Sequence, residues 1–559
     1  MEIKKNDEFK IEITDLGSEG EGIGRFDGMP FFIKGAIPGD TVLAGVTKMK
    51  KTYGYARIVK LLNPSPDRVL PECSIAGRCG GCQLQHMSYA AQLKYKQDKV
   101  LNDLVRIGGI AKERFDVLSA EGSCSETVCK VDDDGKILFY PIIGMEEPWH
   151  YRNKGQFPVG MSKDGSIISG FYAGHTHSII DTKSCMLQHP VTDLLMAAVK
   201  EYMSEAGVTA YDEEAAAAGS GVAGKGSGAG KSSSKDLGVV RHVLTRVGYT
   251  TGEVMVCVVI NADKLPKEDL LAAKLKKAVL DYNDRMIRKT GDHSAEGGTD
   301  AVSGREGDEP DLRLASVSLN VNTRNTNVIM GERCRLLYGN LYITDFIGDV
   351  KYRISPLSFY QVNPVQTRRL YAAALEFAGL TGEETVWDLY CGIGTISLFL
   401  AQKAKKVYGV EIVPEAIDDA KENAVLNSID NAEFFVGAAE EVLPAKYAED
   451  PSMRADVIVV DPPRKGCDEA LLECITKLEP KRIVYVSCDP ATLARDVKYL
   501  EQHGYALKAV RPCDMFPHTS HVETVALLEQ LKTAKEHIEI TINAEDYYRI
   551  KDSQKKTEE

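Results

Sequence analysis

The 559-residue sequence has no long hydrophobic run and few aromatic residues, with two tryptophans and an aromatic content of 7%. No apolar stretch approaches the roughly 20 residues that a membrane-spanning helix needs. The first ten residues, MEIKKNDEFK, lack the apolar core of a secretory signal. These absences predict a soluble, cytoplasmic protein with no membrane partner. In that reducing compartment we expect the 13 cysteines to serve metal binding, catalysis or burial rather than disulfides.

An excess of basic residues is also missing, since the formal net charge is −13 at pH 7. The overall charge therefore does not indicate a nucleic-acid-binding protein, although a local basic patch remains compatible with it. The apolar content of 43% is enough for real cores, and the length predicts about three or four domains. Oligomeric state has no signature here, and a monomer is the default expectation.

Residues 1–60 have the pattern of a small all-β unit, with short alternating runs separated by Gly and Pro turns. Between Thr47 and Lys60 every charged residue is basic, and Tyr53 and Tyr55 lie among them. Cations for phosphates and aromatic faces for bases are typical of single-stranded nucleic-acid binding. The alternative is a solvated basic edge strand.

Residues 61–345 are less regular and are interpreted as a central α+β domain. Two stretches look inserted: 212–236 is almost entirely Ala, Gly, Ser and Lys, and 291–311 is rich in Gly and acidic residues. The first composition cannot bury a core, and we expect disorder there. The last residues, 532–559, form a charged tail.

Residues 346–531 alternate between apolar β runs and helical patterns. This alternation predicts an α/β domain with a parallel sheet and crossover helices. Within it, TVWDLYCGIGTISLFLA has the pattern of a strand, a glycine turn and a helix. Ligands of such sheets lie at the carboxyl ends of the strands.

The glycine turn favours S-adenosylmethionine over a nicotinamide dinucleotide. Gly392 and Gly394 let the backbone approach a ligand closely, but Ser397 stands where a dinucleotide fingerprint has its third glycine. Glu411 ends the next strand and could bind ribose hydroxyls. Asp461 ends a later strand in VIVVDPPR, a sequence typical of methyltransferases. A Rossmann-like sheet without cofactor is the structural alternative.

Cys488 lies in IVYVSCDPATLARD, at the end of a predicted strand and just before a helix. A helix N-terminus favours the thiolate form of a cysteine. An isolated cysteine is more often a small buried apolar residue, but the ligand-binding edge of the sheet favours a chemical role. Arg495, further along the helix, is expected to contact phosphate or support the loop.

A methyltransferase needs a thiolate when its acceptor is an unreactive carbon. Thiolate addition to carbon 6 of uracil makes carbon 5 nucleophilic, and a base must later remove the carbon 5 proton. Glu523 in FPHTSHVETVALLE suits that step, with His518 or His521 as rivals. It meets Cys488 if their strands are neighbours. Phe516 and Tyr360 are candidate stacking faces for a flipped base or simply core residues.

Three cysteines are closely spaced in PECSIAGRCGGCQLQH: Cys73, Cys79 and Cys82. The intervening glycines allow their thiolates to converge, and Cys185 is the best candidate for a fourth ligand. Four thiolates suit zinc or an iron–sulfur cluster, and the spacing alone does not choose between them. Reduced thiols without a metal are the third possibility.

Together these motifs identify a resemblance to the bacterial RNA uracil-5-methyltransferases, in particular the 23S ribosomal RNA members. It covers nearly the whole chain except the inserts and tail, and it includes SFYQVNP, DLYCGIGT, VVDPPRKG, VSCDPATLARD and FPHTSHVET. Residues 1–60 resemble the TRAM domain, an RNA-binding OB-like β-barrel, followed by the central domain and a class I methyltransferase domain.

The resemblance implies a role for each of ten residues. It implies that Cys488 is the nucleophile and Glu523 the base. It implies a [4Fe–4S] cluster on Cys73, Cys79, Cys82 and Cys185. It also implies contacts with S-adenosylmethionine from Gln361, Tyr390, Glu411 and Asp461.

Three other functions remain open at this point. A transfer RNA is the alternative substrate to 23S ribosomal RNA. A methyltransferase acting on adenine or protein nitrogen is a rival enzyme class, because DPPR loosely resembles the Pro-Pro motifs of amino-group methylases. A non-catalytic RNA-binding or assembly protein is the last alternative, against which the intact cofactor and catalytic motifs argue.

Overall fold

The computed structural model describes residues 3–119, 135–174, 176–213, 215–216, 237–292, 310–326 and 328–531. Four features of the sequence lie wholly or mostly outside these ranges: the inserts at 212–236 and 291–311, the tail at 532–559, and the pair Cys124 and Cys129. Among the described helices, none is long and apolar enough to cross a membrane.

The N-terminal strands are β1 (Glu8–Leu16), β2 (Gly22–Phe26), β3 (Met29–Lys34), β4 (Thr41–Met49) and β5 (Gly54–Asn63). They form a closed barrel in the order β1-β2-β3-β5-β4. Alternate residues of β1 are buried, so Phe9, Ile11 and Ile13 fill the interior. Gly54 is required beside Phe31, because a Cβ at Gly54 would lie 2.3 Å from the ring. The predicted all-β unit is confirmed.

Helix α1 (Tyr89–Arg106) and two short strands, β6 (Phe115–Val117) and β7 (Ile137–Phe139), follow the barrel. Their sequence lies within the stretch assigned to the central domain, but β7 pairs with a strand near the C-terminus. The chain therefore contributes an early segment to its C-terminal sheet. The domain limits at 60, 345 and 531 stay a prediction.

The central sheet comprises β8 (Lys154–Met161), β9 (Ile167–Tyr172), β10 (Ile179–Asp181), β11 (Val240–Val247), β12 (Glu253–Ile260), β13 (Arg313–Val321) and β14 (Arg333–Gly339). Their order is β10-β9-β8-β11-β12-β13-β14. Helices α2 (Val191–Ala206) and α3 (Glu268–Asp292) cover one face and enclose a core with it. Leu244, Met255 and Cys257 on the other face join the core of the C-terminal part.

The C-terminal part begins with a hairpin of β15 (Ile343–Ile347) and β16 (Val350–Ile354). Its later strands are β17 (Thr385–Leu389), β18 (Lys406–Glu411), β19 (Ala432–Val436), β20 (Val457–Val460), β21 (Arg482–Ser487), β22 (Tyr505–Cys513) and β23 (Glu523–Gln530). Its helices are α4 (Pro364–Ala378), α5 (Thr395–Ala401), α6 (Pro414–Leu426), α7 (Ala439–Glu449), α8 (Glu469–Leu478) and α9 (Pro490–Gln502).

These later strands and the two early ones build one sheet in the order β19-β18-β17-β20-β21-β23-β22-β7-β6. Neighbours from β19 to β21 are parallel, as the alternating pattern predicts, and helices enclose a core on each face. Only β23 runs against its neighbours β21 and β22 within this sheet. The predicted α/β fold with an N-terminal barrel is confirmed.

Candidate active site

The proposed site residues lie at one edge of the C-terminal sheet, on five strands that are neighbours. Glu411 ends β18, Tyr390 follows β17, Asp461 follows β20, Cys488 follows β21, and Glu523 begins the antiparallel β23. Because adjacent strands are about 4.8 Å apart, these side chains form a row across the sheet. The row runs from Glu411 of β18 to Glu523 of β23.

The glycine turn after β17 leaves space for a ligand beside the backbone. Gly392 and Gly394 have φ of 55° and 81°, and Tyr390 also has a positive φ of 75°. No atom lies within 4 Å of a Cβ placed on Gly392. The Glu411 carboxylate accepts hydrogen bonds from the backbone N–H of Gly392 at 3.3 Å and of Val413 at 3.1 Å. An open turn beside a carboxylate fits a nucleoside cofactor.

Ser397, which replaces the third glycine of a dinucleotide fingerprint, has a defined structural partner. Its hydroxyl donates to Asp388 at 2.5 Å, and both residues are fully buried. The other carboxyl oxygen of Asp388 has no hydrogen-bond partner among the described residues. Burial raises the pKa of Asp388 to about 7. This hydrogen bond joins β17, before the glycine turn, to α5, after it.

Cys488 and Glu523 meet because their strands pair directly. Ser487 and Thr524 are register partners, which places Cys488, the residue after β21, beside Glu523, the first residue of β23. The Glu523 side chain is buried, and no described residue gives it a hydrogen bond or ion pair. Burial and the charge of Asp461 raise the pKa of Glu523 to about 8, against the opposing effect of Arg464. Glu523 therefore has a free carboxyl with the proton affinity of a base.

The expected effect of the helix N-terminus on Cys488 is wrong for the free enzyme. Burial, then the charges of Glu523 and Asp461, raise the pKa of the thiol to about 12. The N-cap of α9 is Asp489, whose carboxylate accepts from Ala491 and Thr492 and also raises the thiol pKa. The N-cap carboxylate thus acts on the thiol in the direction opposite to the effect expected of the helix N-terminus. Among the groups that act on the thiol, Arg464 lowers its pKa.

Arg464 is the charged group of this site that sequence reasoning missed. It is exposed and lowers the pKa of both Cys488 and Glu523. The sequence carried a signal for it, because Arg464 belongs to VVDPPRKG and stands three residues after Asp461 at the same strand end. Arg495 instead supports a loop, donating to the carbonyls of Lys465 at 2.9 Å and Cys467 at 3.2 Å.

The two rival histidines differ in their surroundings. His518 is buried, stacks on Trp149 with ring centroids 3.7 Å apart, and accepts at Nδ1 from Gln92 at 3.3 Å. Burial lowers its pKa to about 4. His521 is half-buried, with Nε2 3.5 Å from the Arg464 guanidinium, and its pKa is also lowered by burial. His518 therefore has the contacts of a structural residue.

Helix α1 holds the loop that leads to Glu523, which the sequence pattern did not reveal. Lys96 and Asp514 form a fully buried ion pair at 2.5 Å, and Tyr89 donates to the same carboxylate at 2.9 Å. The side-chain oxygen of Gln92 accepts from the His518 N–H at 2.9 Å. The ion-paired residues are 418 positions apart, beyond the reach of any local pattern.

The loop carrying Gln361 connects the central sheet to the same region. Gln361 is buried, and its carbonyl accepts from the Asn153 side chain at 2.9 Å. Asn363 donates to the Met515 carbonyl at 3.1 Å. Of the two candidate stacking residues, Tyr360 belongs to the buried core, whereas Phe516 is half-buried with its ring 6.2 Å from that of His521. Only Phe516 keeps an accessible face.

The four cysteines of the predicted cluster lie in one region and are half-buried. Burial raises the pKa of Cys82 to about 12, and the nearby Cys185, Cys79 and Cys73 thiols act in the same direction. Burial also raises the pKa of Cys185, and Cys79 and Cys73 add to that effect. Across the described ranges, no group of three or more His, Cys, Asp or Glu is arranged to hold a metal ion. The donor set suits sulfur-ligated metals, but the thiols are not gathered around one point.

The backbone beside the cysteines contacts the loop that leads to Glu523. The N–H groups of Gln83 and Leu84, immediately after Cys82, both donate to the His518 carbonyl at 3.0 Å. On the other side, the N–H of Gly80 donates to Tyr172 of β9 at 3.2 Å. The cysteine loop therefore lies between the central sheet and the catalytic region.

Comparison with known proteins agrees with this architecture. A family model described as tRNA (Uracil-5-)-methyltransferase matches residues 316–531, and the TRAM domain model matches residues 4–59. The TRAM match covers most of the closed barrel, and the first match covers the row of strand ends. RNA binding and methyl transfer are thus indicated for separate parts of the chain.

Similar proteins cover almost the full length. An uncharacterized RNA methyltransferase of Halalkalibacterium halodurans is 47% identical over 94% of this chain and 98% of its own. An uncharacterized RNA methyltransferase of Caldanaerobacter subterraneus is 41% identical over 95% of this chain and 99% of its own. The crystal structure of Pyrococcus abyssi tRNA (uracil-54, C5)-methyltransferase with S-adenosyl-L-homocysteine has a TM-score of 0.63 and 25% identity, over 93% of this chain and 99% of that one. The chain belongs to the family of S-adenosylmethionine-dependent RNA (uracil-5-)-methyltransferases.

Proposed function

We propose that this enzyme methylates carbon 5 of a uridine in 23S ribosomal RNA through a covalent bond between Cys488 and carbon 6 of the base. The observation that carries the proposal is the direct pairing of β21 with β23, which places a thiol beside a free, buried carboxyl. Nitrogen and oxygen acceptors have lone pairs and need no such thiol. A carbon acceptor needs both groups.

The first step uses the thiol of Cys488. The thiol proton passes to solvent, the half-buried sulfur adds to carbon 6, and the ring electrons move onto carbon 5 and oxygen 4 as an enolate. S-adenosylmethionine, which Gln361, Tyr390, Glu411 and Asp461 would hold, would supply the methyl group for the new bond to carbon 5 and would take up the electron pair of the broken sulfur–methyl bond.

The second step uses the carboxylate of Glu523. It takes the proton from carbon 5, the carbon 5–carbon 6 double bond re-forms, and the Cys488 sulfur leaves with the electrons of its bond. The free carboxyl of Glu523 and its raised pKa support this assignment. His518 is excluded from the proposed mechanism because its ring is stacked on Trp149 and hydrogen-bonded to Gln92.

The cofactor is assigned to the glycine turn and the neighbouring strand ends. We assign ribose contacts to Glu411, whose carboxylate lies against the turn. Tyr390, Asp461 and Gln361 complete the proposed set of cofactor contacts. The positive φ of Tyr390 and the position of Asp461 between the turn and Cys488 support this arrangement.

The RNA is assigned to the barrel and the central sheet as well as to the catalytic edge. On the barrel, the rings of Tyr53 and Tyr55 lie 5.6 Å apart beside Phe32 and among basic residues. Such a surface suits single-stranded RNA. The target base must leave its stack to reach Cys488. We propose that residues 1–60, 61–345 and 346–531 act as the three domains of a cytoplasmic monomer, with β6 and β7 of the second range joining the sheet of the third.

The cysteine cluster is assigned to a [4Fe–4S] cluster rather than to zinc. Four cysteine thiolates suit zinc or an iron–sulfur cluster, and the family resemblance favours the iron–sulfur cluster. Cys185, Cys79 and Cys73 all act on the pKa of Cys82, so the four thiols lie near one another. Methyl transfer needs no electron, so we assign the cluster a structural role beside the His518 loop.

Replacing Cys79 with serine is expected to remove most of the bound iron and to weaken folding or RNA binding. The reason is that the loss of one thiolate opens the cluster, and the backbone after Cys82 supports His518. Iron and sulfide content, thermal unfolding and RNA affinity are the measurements. Cys334→Ser, a half-buried cysteine of the central sheet, is the matched control. Unchanged iron content and activity in Cys79→Ser would contradict the assignment.

The choice of ribosomal over transfer RNA rests on the joint presence of the cysteine cluster and the TRAM domain. The solved structure with a TM-score of 0.63 is of an enzyme that acts on tRNA, which makes tRNA the second candidate. Mass mapping of 5-methyluridine in total RNA from cells with and without this protein decides between them. We expect a site in 23S ribosomal RNA to lose its methyl group, whereas loss confined to tRNA would contradict the choice.

A further inference from the structure

Three basic side chains gather on the face of the central sheet that is turned toward the C-terminal part. Lys154 begins β8, Arg152 lies two residues earlier, and Arg246 of β11 is the register partner of Lys154. Register partners in an antiparallel pair point to the same face, as do residues two apart along a strand. The charges of Arg246 and Arg152 both act on the Lys154 ammonium.

Among the described residues, no carboxylate forms an ion pair with any of these three cations, and the charged groups that act on Lys154 are its two basic neighbours. Arg246 is only 2% exposed, and no described residue hydrogen-bonds its Nε. Burial and the like charges lower the pKa of Lys154 to about 7. Gathering unbalanced cations in a half-buried position costs free energy unless an anion binds there.

The cations lie beside both loops that border the reaction centre. Arg246 donates to the Ser358 carbonyl, three residues before Gln361. Asn153, between the other two cations, donates to the Gln361 carbonyl. Arg152 interacts with the hydroxyl of Tyr151, which in turn donates to the Pro517 carbonyl at 3.2 Å. Arg152 and Lys154 are half-buried, so they keep an accessible side, and Arg246 lies behind them.

We propose that Arg152 and Lys154, backed by the buried charge of Arg246, form an anion site for an RNA phosphodiester next to the flipped nucleotide. The inference rests on the proposed function, because it requires an RNA substrate whose base enters the pocket. When a base is flipped, its phosphates stay at the mouth of the pocket, and charged hydrogen bonds to them hold the distorted backbone. The site would position the nucleotide without reading its base.

The carboxylate of the cofactor's methionine part is the other anion in this reaction. Arg246 and Asn153 contact the loop of Gln361, a proposed cofactor contact, but the accessible cation Arg152 lies toward the substrate, which favours the phosphodiester. Arg152 connects through Tyr151 to the loop before Glu523, on the substrate side of the row. The glycine turn and Glu411 lie on β17 and β18, which β20 and β21 separate from β23. The experiment must nevertheless measure both ligands.

The test measures how Lys154→Met changes RNA affinity in full-length protein that also carries Cys488→Ala, so that binding stays non-covalent. Methionine keeps the apolar stem and removes the charge. With transcribed 23S ribosomal RNA at 0.1 M KCl, we expect Kd to rise about tenfold. The slope of log Kd against log salt should fall by about 0.7 to 0.9, the value for one phosphate contact. The Kd for S-adenosylmethionine should not change.

Two further variants serve as controls. Lys154→Arg keeps the charge and should retain RNA affinity within about twofold. Lys163→Met removes a charge from the exposed turn after β8 and should change the salt slope little. Loss of RNA affinity in Lys154→Met that Lys154→Arg restores supports the site.

Two results would overturn the inference: an unchanged RNA Kd and salt slope in Lys154→Met, or weaker S-adenosylmethionine binding with RNA binding unchanged. Failure of the proposed function is recognised separately. In that case the unaltered enzyme forms no 5-methyluridine in the same RNA, whatever Lys154→Met does to binding.

Discussion

Replacing Cys488 with alanine is expected to lower the rate of methyl transfer by about 10⁴-fold or more. Without the sulfur, carbon 5 of uracil has no route to an enolate, and the correctly placed methyl group has no nucleophile to attack it. The measurement is incorporation of labelled methyl groups from S-adenosylmethionine into 23S ribosomal RNA under single-turnover conditions. Cofactor affinity should be retained, because Cys488 lies across β20 from the glycine turn of β17.

Cys474→Ala is the matched control for that loss. Cys474 is a buried cysteine on α8, away from the strand ends, and its removal should leave the transfer rate within about twofold. Substantial activity in Cys488→Ala would contradict the covalent mechanism. It would favour a methyltransferase acting on nitrogen, whose acceptor needs no thiolate.

Replacing Glu523 with glutamine is expected to separate the two halves of the reaction. The amide is nearly the same size and cannot take the carbon 5 proton, so the methylated base should stay bound to Cys488. Turnover should fall by about 10² to 10⁴-fold, the usual contribution of a general base. The bound intermediate is measured as RNA that migrates with the protein on a denaturing gel and carries the methyl label.

The pH dependence of the same enzyme provides an independent check. Because the pKa of Glu523 is raised to about 8 in the free enzyme, the carboxyl is mostly protonated below that pH and cannot accept a proton. The rate of release of the methylated base from Cys488, followed after a single round of methyl transfer, should therefore rise with pH up to about 8. The raised pKa of the Cys488 thiol does not enter this rate, because the sulfur is already bonded to the base at that stage.

Normal turnover in Glu523→Gln would contradict the role of Glu523 as base and would show that another group removes the proton. His521, which is half-buried near Arg464, would then be the next residue to mutate. His518→Gln is the useful control, since a structural role of His518 predicts a lower unfolding temperature and an unchanged rise of the rate with pH. Loss of that rise in His518→Gln would contradict the assignment of Glu523 as the base.

The strand ends could be predicted from the sequence because each is defined by a short, continuous stretch of residues. An apolar run, a glycine turn and a helical pattern define a strand-turn-helix unit, and the parallel sheet follows from repeating it. Gly392, Glu411, Asp461 and Cys488 could therefore be placed on one edge from the sequence alone. The order of the strands depends on pairing between distant segments, so the sequence left open whether β21 and β23 are neighbours and whether Cys488 meets Glu523.

What the sequence could not predict depends on contacts between distant segments. The raised pKa of Cys488 follows from burial and then from Glu523 and Asp461 on neighbouring strands. The support of the Glu523 loop comes from Lys96 of α1. The return of β6 and β7 to the C-terminal sheet has no signal in their own residues, because two three-residue strands are too short to show a pattern.

The most direct test replaces the target uridine of the RNA with 5-fluorouridine. Fluorine on carbon 5 cannot be removed as a proton is, so the methylated base should remain attached to the enzyme. We predict an adduct that survives denaturation, requires S-adenosylmethionine, and maps by mass spectrometry to the peptide containing Cys488. Unhindered turnover of the fluorinated RNA, or an adduct that still forms in Cys488→Ala, would contradict the account.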